Sequence, residues 1–598
     1  MKNQIEFLRI GASLMAFLWI IVLNSCQNET TSTATQGASE NISSVDSVGF
    51  QVNVHLGGNT GGLNSILSTT AISGQILDLN VHAGLLEISP EDYSLRPYLA
   101  VSRPTVTINE DGTILMDFEI REAASWDNNT PITAEDVAFT LKAIKNPKVN
   151  CNHLRGWFEF VEAVDIDPNN PKKFRVRCNR SYLLAETAIG AMSVFPSYFY
   201  DPQNLMSKFT ISELNDPKNL EALKTNPRII DFAEDFNTKF THDAASIVGC
   251  GPYFVASMST HQYVKLERKS SWWGDDVDID YIAAYPQTIL FKIIDDDNNA
   301  LMSLKEEEID VMTFISEDDF SDLRENDRAL SNFNLYTPDA FAYRYIGMNM
   351  KSKKLKDVKV RNALAHLIDK DVIIDEICNG FAAPVYGPVS PLKQNYNPNL
   401  PKFGFDLDRA KELLSEAGWI DSDGDNVLDK IIDGDKIDLA LKFTYPQGKQ
   451  FYKDVAQILK DEAERIGIKI ELHASEWSVL QDDLKDRDFE LICLGWGQTP
   501  MLDDFKQIWH TSSIIRDGTN YVSFGNEQTD RLIDLIRETM DDEKRQEMYQ
   551  VFQEMVVREH PYIFLVSPKL CMAISKKFKN AKPTSMRPGY WVRLFQLK

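Results

Sequence analysis

Residues 489–510 read FELICLGWGQTPMLDDFKQIWH, and they gather in one short stretch several side chains able to act on a solute. An apolar run ends in Leu494, Gly495, Trp496 and Gly497. Thr499, the acids Asp503 and Asp504, and then Trp509 and His510 follow. Adjacent acids near a histidine admit three chemistries: acid–base catalysis, metal ligation, or charge recognition of a bound molecule. Glycines on both sides of Trp496 open the backbone to close approach, and the indole offers a broad apolar face. These features describe the wall of a binding cleft; the competing reading is that Trp496 is ordinary core. Asp503 and Asp504 read equally as charge partners for a ligand or as acids at the start of the helix FKQIWH. Trp509 carries the same ambiguity.

Other candidate chemistry is thin. There is no GxSxG and no HExxH, and nine histidines are dispersed along 598 residues. The run Asp295-Asp296-Asp297 reads as a solvated turn. After residue 26 the cysteines are Cys151, Cys178, Cys250, Cys378, Cys493 and Cys571, with no CxxC or CxxH spacing, so no zinc site is expected. Cys151 and Cys178 lie in polar contexts (VNCNH and RVRCNR) and are expected to form a disulfide in an exported chain, whereas Cys493 sits in FELICL and reads as a packed thiol. Asp421, Asp423 and Asp425 match the first ligands of a calcium loop. Asn426 replaces its glycine and Ile432 its bidentate glutamate, so the stretch reads as an Asp/Gly turn. No metal and no cofactor is expected.

The elements that must position these residues begin after residue 48. Lys2 and Arg9, an apolar stretch from Ile10 to Leu23, and Leu23-Asn24-Ser25-Cys26 describe an export signal ending in a lipobox-like cysteine. The apolar stretch is shorter than the ~20 residues a spanning helix needs. Residues 27–48 are mostly polar, lack aromatics and suit a flexible tether. The protein is therefore expected in the periplasm or at the cell surface, as a lipoprotein anchored through Cys26. With 63 basic and 88 acidic residues the net charge is −25, which argues against nucleic acid as a partner.

Strands and helices alternate through the body. QVNVHL and TILMDFEI read as strands. PITAEDVAFTLKAI reads as a helix that Thr133 and Asp136 cap. In the second half, FAYRYIGMNM is a strand with Phe341, Tyr343 and Tyr345 on one face and Arg344 on the other. VKVRNALAHLIDKDVIIDEI reads as one helix. DLDRAKELLSEAGW and DVAQILKDEAERIG are helices that Gly418 and Gly467 stop. FELICL, apolar without alternation, reads as a strand covered on both faces. The fold class is α/β, with mixed sheets flanked by helices.

In this order, ITAEDVAFTLKAI, CGPYFVASMSTHQYVKLERKSSWW, EEEIDVM, YIGMNM with KDVKVRNALAHLIDKDVIIDEICNG, FDLDRAKELLSEAGWIDSDGDNVLDK and AERIGIKIELH resemble the family-5 extracellular solute-binding proteins, the peptide- and nickel-binding class of ABC importers. The resemblance covers nearly everything from about 50 to 598. It implies a two-lobed clamp of the periplasmic-binding-protein kind with an extra subdomain. The parts would be 49–104 and 231–290 for lobe I, 105–230 for the extra subdomain, 291–555 for lobe II, and 556–598 for the return to lobe I. It implies an extended ligand held between backbone edges of both lobes, here Ala83-Gly84-Leu85 and Leu494-Gly495-Trp496, with Tyr343, Tyr345, Gly497, Thr499, Asp503, Asp504 and Trp509 around it. Relatives that bind a free peptide amino group carry an Asp where this chain has Thr499. The implied partners are a peptide or similar solute and the ABC permease, with the binding protein a monomer and not an enzyme. A nickel or metal-chelate binder is the alternative within the family, and a surface hydrolase or adhesin the alternatives outside it.

The lipobox reading predicts that Cys26→Ser releases the protein from the membrane fraction. Fractionation of cells expressing that variant checks it, and retention in the membrane contradicts it.

Overall fold

The computed structural model describes residues 49–516 and 518–598. The signal segment, the tether and Cys26 lie outside the described residues. Alternation in QVNVHL buries Val52 and Val54 and makes Gln51–Leu56 an inner strand of a seven-stranded sheet. Its order is Phe333–Tyr336, Met572–Ser575, Val311–Met312, Gln51–Leu56, Thr288–Ile293, Tyr263–Arg268 and Tyr253–Ser259. A five-stranded sheet runs Lys469–Ser475, Ala440–Pro446, Leu491–Gly497, Ala342–Met348 and Tyr562–Phe564. A four-stranded antiparallel sheet, Thr105–Ile108, Ile114–Glu119, Asn170–Cys178 and Val161–Asp167, falls inside the segment expected to be an extra subdomain.

Sheet membership moves two expected boundaries. Val311–Met312 and Phe333–Tyr336, placed by the resemblance in lobe II, belong to the seven-stranded sheet, because the returning strand Met572–Ser575 inserts between them and pairs antiparallel with both. Tyr562–Phe564, placed in the return to lobe I, is instead an edge of the five-stranded sheet, paired with Ala342–Met348. The chain thus enters the five-stranded sheet at 342 and leaves it at 564. Short segments containing Pro338 and Pro568 carry the chain across at the two crossings.

Leu491–Gly497 shows why FELICL has no polar alternation. Successive side chains point to opposite faces: Leu491 and Cys493 enter one hydrophobic cluster, Ile492 and Leu494 another. The helices Val358–Ala365, Leu407–Glu416 and Gln450–Glu464 cover the first face, and Glu527–Glu538 and Asp542–Glu559 the second.

Local signals hold where side chains can act alone. The helix Ala134–Lys145 starts at Thr133, whose backbone N–H donates to Asp136 Oδ2 at 3.1 Å. Asp136 also accepts from Trp126 Nε1 and from the backbone and hydroxyl of Ser197, so the cap residue ties three segments together. Asp406 caps Leu407–Glu416, and Gly418, at φ +79°, takes the left-handed turn that ends it. The long helix expected over 358–377 is interrupted. Val358–Ala365 stops, Asp369 accepts from Asp371 N–H and Val372 N–H to start a new turn, and Ile373–Ile377 continues as a wider π-type turn. A short acid able to cap its own backbone competes with helix continuation at that position.

The expected disulfide is absent. Cys151 and Cys178 are both free and buried, as are the other four described cysteines. The polar neighbours that suggested exposure point outward, while the sulfurs point in. Cys151 Sγ donates to the Ile144 carbonyl at 3.3 Å, and Cys178 sits in the four-stranded sheet between Ile114 and Val161. Burial pushes the Cys151 thiol up to about 11 and the Cys178 thiol up to about 12, which keeps both protonated and unreactive. Alkylation without reductant is therefore expected to spare both cysteines in the native protein and label both after denaturation. Failure to label either one in denaturant would indicate the bridge.

Candidate functional site

The five-stranded sheet has an open edge where the Gly-Trp-Gly sequence lies. Leu491–Gly497 pairs along its whole length with Ala342–Met348 on one side. On the other side Ala440–Pro446 pairs with it only at Leu491 and Ile492. Gln498 N–H donates to the Phe341 carbonyl at 2.6 Å, and this sets the phase of the antiparallel ladder. In such a ladder, opposed pairs alternate between bonded and non-bonded. Trp496 opposite Tyr343 and Leu494 opposite Tyr345 are therefore bonded pairs, whereas the amides and carbonyls of Gly495 and Gly497 point to the side that Ala440–Pro446 has left. Both glycines are exposed. A Cβ on Gly495 would sit 3.3 Å from the Tyr343 carbonyl oxygen, while one on Gly497 would meet nothing within 4 Å.

The strand runs directly into the wall of a cavity of about 620 Å³. Gln498, Thr499 and Pro500 form one part of that wall. Ala83 and Gly84 form another, together with the segment 65–82 and residues 586–592 of the C-terminal return. The walls are fixed by polar contacts. Gln75 Nε2 donates to Tyr590 Oη at 2.6 Å. Ser65 Oγ lies 2.6 Å from His82 Nδ1, and burial holds His82 down at about 3, so its ring is neutral at physiological pH. Glu87 is clamped between Arg96 at 2.6 Å and Arg593 at 3.0 Å. Trp591 lies on the wall with an indole N–H that has no partner among the described residues.

Several residues read as ligand contacts lie elsewhere. Tyr343 and Tyr345 do not line the cavity. They are buried, with Tyr345 stacked on Tyr562 at 3.8 Å between ring centres and Tyr343 edge-on to Phe564 at 5.5 Å. Their strand face is the covered one, whereas Arg344 on the other face reaches Glu317 and lies over the Phe451 ring. Trp509 is also core, against Phe524 and Tyr562. Asp503 binds Lys393 at 2.7 Å and accepts from Asn395 and Gln498. Asp504 accepts from Arg537 and from Tyr182 Oη, both at 2.9 Å, and so latches the four-stranded subdomain to the five-stranded lobe. Neither acid has a free face for an ammonium, because each already neutralises a protein cation. Leu494 is buried and its backbone faces Tyr345, so the open edge is carried by Gly495 and Gly497 instead. Trp496 is half-buried, donates from Nε1 to Tyr562 Oη at 3.2 Å and lies parallel to the Tyr521 ring.

The Ala83-Gly84-Leu85 segment also differs from the expected edge. The Ala83 carbonyl accepts from Val194 N–H, that of Gly84 from Leu99 N–H, and that of Leu85 from Tyr98 and Ala100 N–H. An added strand would find no row of open acceptors there. Gly84 is needed for another reason: a Cβ would fall 2.5 Å from the Gly190 carbonyl oxygen, at the end of a helix packed against it. Leu85 is buried behind the wall. Within the acidic loop, Lys436 forms ion pairs with Asp423 and Asp429, and Ser422 donates to Asp429, so those carboxylates have protein partners. Sequence reasoning missed the segment 65–82 and the C-terminal RPGYW, whose only local sign was an unusual density of Gly, Ser, Thr and aromatics.

Two unequal α/β lobes with a subdomain and an open strand edge beside a cavity define a solute-binding clamp. The chain belongs to the bacterial extracellular solute-binding proteins, family 5, whose model matches residues 94–514. It is 26% identical over 531 residues, 88% of each chain, to the oligopeptide-binding protein AppA of Bacillus subtilis. It is 22% identical over 491 residues to the dipeptide-binding protein of Escherichia coli, covering 79% of this chain and 81% of that one. The fold matches AppA of B. subtilis in complex with a nonapeptide at a TM-score of 0.71 and 24% identity, over 92% of this chain and 99% of that one. It also matches NikA of Brucella suis in complex with Fe(III)-EDTA at a TM-score of 0.73 and 19% identity, over 92% and 100% of the two chains.

The placement of Trp509 and Thr499 predicts opposite costs. Trp509→Ala is expected to lower unfolding free energy by about 3–5 kcal/mol, as a buried aromatic truncation does. Thr499→Ala, on the cavity wall, is expected to change it by less than ~0.5 kcal/mol. Urea unfolding of both variants measures this, and equal costs would contradict the placement.

Proposed function

We propose that this chain captures a peptide, or a similarly extended solute, between its lobes without catalysis and passes it to the permease of an ABC transporter. In this reading it acts as a monomer tethered to the membrane by lipid on Cys26. The observation that carries the reading is the open edge at Gly495 and Gly497, contiguous with a cavity of about 620 Å³. That volume lies within the roughly 300–1,000 Å³ of small-molecule sites. An extended main chain laid along the edge gains amide and carbonyl partners that are indifferent to side-chain type, while the cavity takes one end of the molecule. The permease and lipid roles rest on family membership and on the sequence before residue 49. Among the described residues, no helix is long and apolar enough to cross a membrane.

Gly497 offers a clean test, because the space around it is open. Gly497→Ala is expected to fold and to bind a randomised tetrapeptide mixture within a few-fold of wild type. Gly497→Pro removes the edge N–H at a position where an edge strand tolerates proline, and is expected to weaken binding tenfold or more, about 1.4 kcal/mol. Calorimetric titration reads both. Equal affinities in the two variants would reject strand addition, and turnover of the peptides would reject the non-enzymatic reading.

A further inference from the structure

Asp78 stands apart from the other acids around the cavity. It follows the short helix Ala71–Leu77 as its C-cap and lies on the cavity wall. Its backbone is fixed, with its N–H donating to the Gly74 carbonyl at 2.8 Å. Gly74 also leaves room for its carboxylate, since a Cβ there would fall 3.0 Å from Asp78 Oδ2. The side chain is open to the cavity, yet no hydrogen bond and no ion pair to it exists among the described residues. Of the other ionisable groups on that wall, only Arg587 also keeps a charge without an ion pair among the described residues. Glu87 is held by Arg96 and Arg593. His82 is neutral beside Ser65, and burial also lowers His153. Arg587 lies over the Phe314 ring, and the Tyr590 hydroxyl takes the Gln75 amide.

A bare carboxylate is unfavourable at this place for two reasons. The carboxyl end of a helix carries partial negative charge. Asp78 is exposed to the solvent of the cavity, yet the protein crowded around it pushes its carboxyl up towards about 7, with no cation acting against it.

We infer that Asp78 is the seat for a positively charged group of the bound solute, an α-ammonium or a lysine or arginine side chain. The assignment rests on the peptide reading above and adds which chemical group the cavity end of the site selects. A cation brought against Asp78 ionises it and supplies the partner it lacks. Binding of such solutes is therefore strong above pH 7 and weakens as the pH falls and the carboxyl takes up a proton. In the free protein the sign is reversed. A carboxyl whose pKa is raised by folding binds more protons in the native state, so the native state loses stability as pH rises from about 4 to about 7.

Three randomised tetrapeptide mixtures test this at pH 8 and pH 6 on wild type and Asp78→Asn. The first has free amino termini, the second is N-acetylated and contains Lys and Arg, and the third is N-acetylated and lacks them. Wild type is expected to bind the first or second mixture at least tenfold more tightly than the third at pH 8, and to lose much of that preference at pH 6. A preference for the first identifies the α-ammonium, and a preference for the second the side chain. Asp78→Asn is expected to bind all three alike at both pH values. Without ligand, its melting temperature should lie above that of wild type at pH 8 and match it at pH 4. Equal binding of the three mixtures by wild type, or an unchanged preference in Asp78→Asn, overturns the assignment of Asp78 while leaving peptide binding intact. Binding of none of the mixtures by wild type overturns the peptide reading and this inference with it, and an unaltered melting temperature at pH 8 shows that Asp78 is not held in an unfavourable state.

Discussion

A backbone amide or carbonyl that leaves water must find a partner, and the middle of the five-stranded sheet is built around one strand that obeys this only in part. At Leu491 and Ile492 the strand has neighbours on both sides. From Gly495 onward it has one, because Ala440–Pro446 continues along Lys469–Ser475 and leaves it. The open groups belong to two exposed glycines, so another main chain can reach them. The core beneath keeps this edge in place. Tyr343, Tyr345, Tyr562, Phe564 and Trp509 fill one face of the sheet, and Trp496 is tied to that group through Tyr562. The open edge is thus rigid before any ligand arrives, and a preformed edge loses less ordering entropy on binding.

The same economy of charge runs through the cleft. Asp503 and Asp504 look from the sequence like ligand partners, but Lys393 and Arg537 neutralise them. Asp504 also accepts from Tyr182 of the neighbouring subdomain, so this acid holds parts of the body together. Glu87 does similar work between Arg96 and Arg593, joining the start of the chain to its end. Against this background an unpaired acid such as Asp78 is conspicuous.

Much of the architecture could be read from the chain, and the reasons differ by element. Caps at Thr133 and Asp406 and stops at Gly418 act within a few residues, so local sequence suffices. FELICL could be recognised as covered on both faces because burial of both faces removes polar alternation. The site was less legible. The aromatic ladder of FAYRYIG and the acids after Gly-Trp-Gly have the composition of a cleft and the location of a core, and only long-range pairing separates the two. Cys151 and Cys178 show the same ambiguity, since polar neighbours in a strand or short helix reveal nothing of where the sulfur points. The lobe boundaries depend on a strand returning from residue 572 to lie between two earlier ones, which no local signal records.

The central claim concerns which amides are open. Selective ¹⁵N-glycine labelling with hydrogen exchange measures it directly. The amides of Gly495 and Gly497 are expected to exchange rapidly in the free protein, while Gly347, inside the paired strand Ala342–Met348, exchanges slowly. On addition of a binding peptide, exchange at Gly495 and Gly497 should slow by at least tenfold with Gly347 unchanged. Slow exchange at both glycines without ligand, or unchanged fast exchange in the saturated complex, would contradict the account.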